Sequence, residues 1–383
     1  MKQTPLPEKT PVSPGVKKYR DFYAMKPDAP IYMTEFGFYV MDKWKAEGHL
    51  PKDSGWGEWA ELFGWDEGAR HHLNCCGWCE AGFEPVFETK VVKDLGDCEL
   101  EQDFAGRIVK YFKNRRSGFM PDYVDHPVKD MKTWEENCLW RMDPATPSRV
   151  ENQTRAIEAA AGAADQGKFV VANLVGGYMY LRSLAGPEDL MYMFYEQPEL
   201  IHACMKAWFD LADSFYTRAQ TAGLNIDEIF LAEDICYNHG FLISPDMVRE
   251  FLFPYYQQLI ANVRSRQPDK NAPVKLQVDT DGFCDPAIKL YREIGLNFMS
   301  PFEAASNCDV VRTGQEYPDL LISGGFDKRI LAAGRDAIDR EVARILPVMK
   351  KRGGYYPTCD HGVPEEVKFE DYVHFRKRLL EFA

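Results

Sequence analysis

Four stretches in the last quarter of this 383-residue chain follow one rule: a short run of strand-forming residues, a polar residue at its end, then a helix-like segment. They read Val274-Lys-Leu-Gln-Val-Asp-Thr-Asp281-Gly, Phe298-Met-Ser-Pro-Phe-Glu303, Leu320-Leu-Ile-Ser-Gly-Gly-Phe-Asp327 and Gly353-Gly-Tyr-Tyr-Pro-Thr-Cys-Asp-His361. Strands that alternate with helices run parallel, and repeated units close into a (β/α)8 barrel whose post-strand loops converge on one face. The expectation is an α/β barrel with acids and a histidine gathered at one mouth.

The same rhythm begins near residue 149. Arg149 to Gln166 is Ala-rich and reads as a helix, and Lys168-Phe-Val-Val-Ala-Asn173 reads as a buried strand. Helices are expected to open at Pro187 and Pro198, where proline lacks an N–H that would be unpaired anyway. In the second of these, Ile201, Met205, Trp208, Phe209, Ala212 and Phe215 recur at helical spacing. Glu228-Ile-Phe-Leu-Ala-Glu233-Asp234 is a further strand with an acidic end, and Ser244-Pro245 caps the following helix.

Upstream the pattern weakens. Residues 1 to 28 are rich in Pro and Lys and read as an extended arm, with a single barrel domain over 29–383. Pro30-Ile-Tyr-Met-Thr-Glu35 reads as a first strand. Residues 50 to 150 carry Trp56, Trp59, Trp65, Trp78, Phe83 and Tyr123 without clear periodicity, and read as an insertion of short elements over the barrel mouth.

The formal charge of 46 − 59 = −13, without a basic cluster, argues against nucleic acid and anionic membranes as partners. No apolar run approaches the roughly 20 residues that span a bilayer, and the N-terminal residues lack the apolar core of a signal peptide. A cytoplasmic protein with reduced cysteines is expected.

Asp279 and Asp281 alternate with Gln277, so an extended strand points all three to one side. Two carboxylates at a barrel mouth raise one pKa or hold a cation between them. Asp279, Asp281, Glu303 and His361 offer three oxygens and one nitrogen, the donor chemistry of a catalytic zinc site. The same four residues also suit a hydrogen-bonded acid network with His361 as counter-ion. Glu35, Asn173, Arg182, Glu233, Asp234 and Asp327 end or follow other strands and are further site candidates. Cys76-Gly-Trp-Cys79 lacks both a second C-x-x-C and a thioredoxin-like context, so an aromatic lid around Trp78 is expected there rather than a redox or zinc motif.

The Asp-Gly end, Ser-Pro-Phe-Glu303, Asn307-Cys-Asp309, Ser323-Gly-Gly-Phe-Asp327 and Asp360-His-Gly-Val-Pro together resemble the uroporphyrinogen decarboxylase superfamily, as do Glu233-Asp234 with Ser244-Pro245. The resemblance implies that family's barrel, with an N-terminal extension and an insertion. True decarboxylases of the family carry an Arg-rich segment after the first strand; here that place reads Met33-Thr-Glu35-Phe-Gly37. The similarity is therefore to the cobalamin-dependent methyltransferase branch, whose His-x-Cys, Glu and Cys zinc ligands fall on Asp279, Asp281, Glu303 and near His361. Loss of the thiols suits an oxygen-bound methyl group. The resemblance implies an O-demethylase methyltransferase moving methyl from a methoxylated aromatic to the corrinoid of a separate corrinoid protein, with Zn2+ as an optional cofactor. Glu35, Trp78, Tyr178, Glu233, Asp234 and Asp327 are then the expected substrate-binding residues. A decarboxylase or a methyltransferase for another small methyl donor is the alternative, and a homodimer is compatible with either.

Overall fold

The computed structural model describes residues 12–114 and 121–383. In chain order its strands are β1 (Arg70–Cys76), β2 (Lys90–Asp94), β3 (Cys98–Gln102), β4 (Ile108–Phe112), β5 (Asp122–Asp125), β6 (Phe169–Val175), β7 (Glu228–Ala232), β8 (Cys236–Tyr237), β9 (Gly240–Phe241), β10 (Lys275–Asp279), β11 (Leu296–Ser300), β12 (Leu321–Ser323) and β13 (Tyr355–Tyr356). Seven of them form one curled sheet in the order β1-β6-β7-β10-β11-β12-β13, every pair parallel. Helices link consecutive strands, as the strand–helix rhythm requires. Among them Pro187–Glu196 and Pro198–Thr221 both start on the expected prolines. Ser244 accepts a hydrogen bond from Met247 N at 3.2 Å and so caps its helix as expected.

Three upstream expectations are corrected. Residues 14–23 are not extended: Pro14–Tyr23 is a helix, capped by Ser13 with proline in its first turn, and Val16, Tyr19, Phe22 and Tyr23 form its buried face. It packs across the strand starts. Tyr19 OH donates to Glu228 Oε2 at 3.3 Å, and its ring meets Phe169 and Tyr356. Residues 1–11 of the expected arm lie outside the described residues.

Residues 31–36 make no regular strand. They fill the space between β1 and the end of β13 through irregular bonds: Met33 N donates to Asp66 Oδ2 at 2.7 Å, and Asp66 N donates to Met33 O at 2.8 Å. Further on, Phe38 bridges Val363 in parallel fashion.

The span 50–150 is not all inserted, because β1 belongs to the main sheet and pairs with β6 from Arg70–Phe169 to Cys76–Leu174. Only β2 to β5 stand apart, as a four-stranded antiparallel sheet. Residues 115–120 of that span lie outside the described residues. Among the described residues no helix is long and apolar enough to cross a membrane.

Candidate active site at the strand ends

The C-terminal ends of the main sheet surround a cavity of about 500 Å³. A second hollow, about 440 Å³, lies among helices, where Trp134, Trp140, Lys206 and Asp210 line it; it touches no strand end. In the first, β10 delivers Asp279 and, just beyond, Asp281, while the segment after β13 delivers His361. His361 Nε2 lies 3.5 Å from Asp281 Oδ2. Its Nδ1 accepts from Gly362 N at 2.8 Å and meets Tyr39 OH at 3.2 Å. The Gly362 N–H places the proton of the neutral ring on Nε2, facing Asp281. The hydrogen bond to Asp281 raises the imidazole pKa, although the amide at Nδ1 works against a second ring proton.

Asp279 sits deeper. Ser300 Oγ donates to its carboxylate, Gln277 Nε2 donates to Ser300 Oγ at 2.8 Å, and Arg70 Nη1 donates to Gln277 Oε1 at 3.1 Å. Arg70 also pairs with the fully buried Glu228 at 3.4 Å. Burial, reinforced by the negative charges of Asp281 and Asp234, pushes the Asp279 carboxyl up to about 7 against the Ser300 donation. A carboxyl of that pKa holds a proton near neutrality and can give it up, which is the requirement for a general acid.

The wall opposite is aromatic. Trp78 lies parallel to Phe230, ring centroids 5.4 Å apart and planes 5° apart, and remains 52% exposed. Phe36 and Tyr39, at 43% and 58%, stand beside His361 on the other side of the mouth. The cavity combines exposed aromatic faces with acids at its floor.

The cavity thus collects Asp279, Asp281, His361, Glu35, Trp78 and Asp234 of the expected residues, and not the other six. Glu303 is turned to Lys328 Nζ at 3.0 Å and accepts from Gly282 N at 2.9 Å. Glu233 is fully buried, accepting from Tyr178 N at 2.9 Å and Tyr256 OH at 2.6 Å. The backbone must approach it closely there: a Cβ on Gly176 would lie 2.6 Å from Glu233 Oε2. Tyr178, 2% exposed, serves that carboxylate through its backbone. Asp327 caps the helix Lys328–Ala332 and holds Arg329 at 2.7 Å. Glu35 touches the cavity wall, but its carboxylate accepts from Phe36 N, Cys359 N and Tyr372 OH. Asp234 pairs with Arg182. Asn173, from β6, meets His72 Nδ1 at 3.3 Å.

Asp279, Asp281, Glu303 and His361 do not fit as one zinc site. Asp281 and His361 approach one another, but no three of the four bring donor atoms within 4.8 Å of one another, and the Lys328 ammonium occupies the cation's place beside Glu303. Cys76 and Cys79 belong to no group of three close metal donors among the described residues; burial raises the Cys79 thiol to about 11.

A family model, "Uroporphyrinogen decarboxylase (URO-D)", matches residues 116–380, more than half of the chain. The chain belongs to the uroporphyrinogen decarboxylase family. Curated relatives include the uroporphyrinogen decarboxylases of Geotalea daltonii, 29% identical over 185 residues (48% of this chain, 49% of the relative), and of Campylobacter fetus, 23% identical over 189 residues (49% and 50%). The chain spans about half the length of the curated relatives it matches. Among solved structures, a methyltransferase from Methanosarcina mazei aligns over 97% of this chain and 99% of its own with a TM-score of 0.58 at 14% identity, so this uroporphyrinogen decarboxylase family member shares its fold.

Sequence reasoning missed Arg70, His72, Tyr39, Ser300 and Phe230, which also line the cavity. Arg70 and His72 had a signal, since they alternate like Gln277 and Asp279, but without β1 there was no strand to put them on.

Proposed function

We propose that this protein is a methyltransferase that takes the methyl group of a methoxylated aromatic, the acceptor being a corrinoid carried by a separate protein. The observation that carries the reading is Asp279, a carboxyl held near pKa 7 at the floor of an open, aromatic-walled cavity. In this reading the seven-stranded sheet, completed by residues 31–38 in the gap between its edges, acts as a (β/α)8 barrel with its mouth at the strand ends. The exposed Trp78, Phe36 and Tyr39 around that mouth suit the approach of a flat ring system from outside. When bound, the reduced corrinoid supplies the nucleophile that receives the methyl carbon.

The chain's own residues serve the leaving oxygen. As the methyl–oxygen bond breaks, its electron pair remains on oxygen, and a phenoxide or alkoxide needs a proton there. Asp279 gives that proton. Asp281 and His361, 3.5 Å apart, form the second acid–base pair at the mouth and are placed to return a proton to Asp279 through the product hydroxyl or water. Trp78 and Phe230 hold the ring, and Asp234, fixed by Arg182, bounds the cavity beside them.

The second reading, decarboxylation of a porphyrinogen, rests on the family name. Against it, Arg70 is the one Lys or Arg lining the cavity among the described residues, and it already pairs with Glu228. A polycarboxylate would therefore meet acids rather than a free cation there. Incubation with a reduced corrinoid protein and a panel of methoxybenzenes should generate the methylcobalamin spectrum. Carbon dioxide release from uroporphyrinogen, with no methyl transfer from any donor, would favour the second reading.

A further inference from the structure

Beneath the loops that carry Asp281 and Glu303 lies a cluster the reaction above does not use. Cys284 and Cys308 are buried, at 0% and 7% exposure, with their sulfurs 3.5 Å apart. Their sulfurs and a carboxylate oxygen of Asp285 all fall within 4.8 Å of one another, and no other such group of donors exists among the described residues. Asp285 Oδ2 is held by Arg312 Nη2, and the Thr313 hydroxyl is the other hydrogen-bonding group at this carboxylate. The carbonyl of Gly282, 3.3 Å from Cys308 Sγ, is a further oxygen at the cluster.

We propose that Cys284, Cys308 and Asp285 bind a thiophilic divalent cation of the zinc type, with the Gly282 carbonyl or a water as the fourth ligand. The sulfur separation decides between a metal and a covalent pair. Two thiolates on one tetrahedral zinc, each about 2.3 Å from it, stand roughly 3.8 Å apart, whereas disulfide sulfurs lie about 2.05 Å apart. The observed 3.5 Å, a thiol–thiol hydrogen bond here, excludes a disulfide and leaves the sulfurs within a few tenths of an ångström of the metal-bound spacing. Binding releases both thiol protons and ends the Cys308 donation to Gly282 O. Arg312, bonded to Asp285 Oδ2, orients the carboxylate as an outer partner does in metal sites.

The consequence is structural. The cluster joins the segment after β10 to the segment after β11. The backbone between them is already tied by Gly282 N donating to Glu303 Oε2 at 2.9 Å. A metal there fixes the loop that aims Asp281 into the cavity. It is a site separate from the Asp279/Asp281/His361 group, and it stands whether or not methyl transfer is the reaction.

The test is metal content of the full chain, purified under reducing conditions and reconstituted with zinc, for wild type, Cys284→Ser/Cys308→Ser and Asp281→Ala. Stoichiometric zinc is expected in wild type and in Asp281→Ala, with loss in the double serine variant. Cobalt in place of zinc should show thiolate-to-metal charge-transfer absorption in wild type. Because the double variant alters the core, Arg312→Leu provides a milder check, with zinc affinity expected to fall roughly 10–100-fold. The proposal is overturned if reduced wild type takes up no zinc. It is equally overturned if the cobalt form lacks the thiolate band, or if zinc persists without both cysteines while disappearing with Asp281.

Discussion

At the end of β7, Glu233 faces inward, and at the end of β10, Asp279 faces the cavity; the two strand ends touch, Glu233 N donating to Asp279 O at 2.8 Å. Burial drives both carboxyls to about 7. Yet Glu233 spends its oxygens on Tyr256 OH and Tyr178 N and has no exposed surface, whereas Asp279 has one hydroxyl donor and opens to the ligand space. A perturbed pKa is therefore shared by a structural acid and a chemical one. What separates them is access.

Substitution should break this symmetry. Asp279→Asn is expected to lower methyl transfer by about 10²–10⁴-fold, the range of a lost general acid, with the KM for the methyl donor little changed. Glu233→Gln should leave transfer within about tenfold of wild type, because the group it removes never meets substrate. It should instead reduce stability by ~1–3 kcal/mol as a buried hydrogen-bond partner is lost, read by denaturant unfolding. Equal activity losses in the two variants would show that the distinction is wrong.

Stability against pH sharpens the comparison next. Both carboxyls rise on folding, Asp279 from 3.8 and Glu233 from 4.5, each to about 7. Their contribution is thus fully present below about pH 4 and is lost as pH rises through about 7. Within that window Glu233→Gln should flatten the decline in unfolding free energy. The pH dependence of transfer has the same sign at Asp279: the proton donor is depleted, and the rate falls, as pH passes about 7. That inflection should survive in Glu233→Gln and vanish in Asp279→Asn.

The smallest effect is expected on the aromatic wall. Removing the Trp78–Phe230 stack by Trp78→Ala should cost about 0.5–1.5 kcal/mol in donor binding, a KM increase of several-fold with kcat nearly unchanged. A large kcat loss would instead place Trp78 in the chemistry.

The C-terminal half of the sheet was legible because its strands are apolar runs that end in acids. β6, β7, β10, β11, β12 and β13 fall within or beside the stretches expected for them. β1 was hidden by its own polar residues. Arg70, His72 and Asn74 interrupt the apolar pattern, and two of them are polar because they face Gln277, Glu228 and Asn173 across the interior. The helix Pro14–Tyr23 carried the same Ser-Pro start as Ser244-Pro245, but the prolines before it and its own lysines masked the four buried side chains. At the site, period-2 alternation located Asp279 and Asp281. Sequence position could not show that Lys328 would claim Glu303 or that two tyrosines would enclose Glu233, with Tyr256 bonding its carboxylate. Those partners come from elements far along the chain.

The central claim is that Asp279 protonates the oxygen from which a methyl group leaves. It is tested most directly by single-turnover methyl transfer from a methoxybenzene to reduced corrinoid protein, in wild type and Asp279→Asn, with ring binding measured alongside. The account predicts transfer in wild type and a loss of at least about 10²-fold in the variant at unchanged binding. Transfer at the wild-type rate in Asp279→Asn would contradict it.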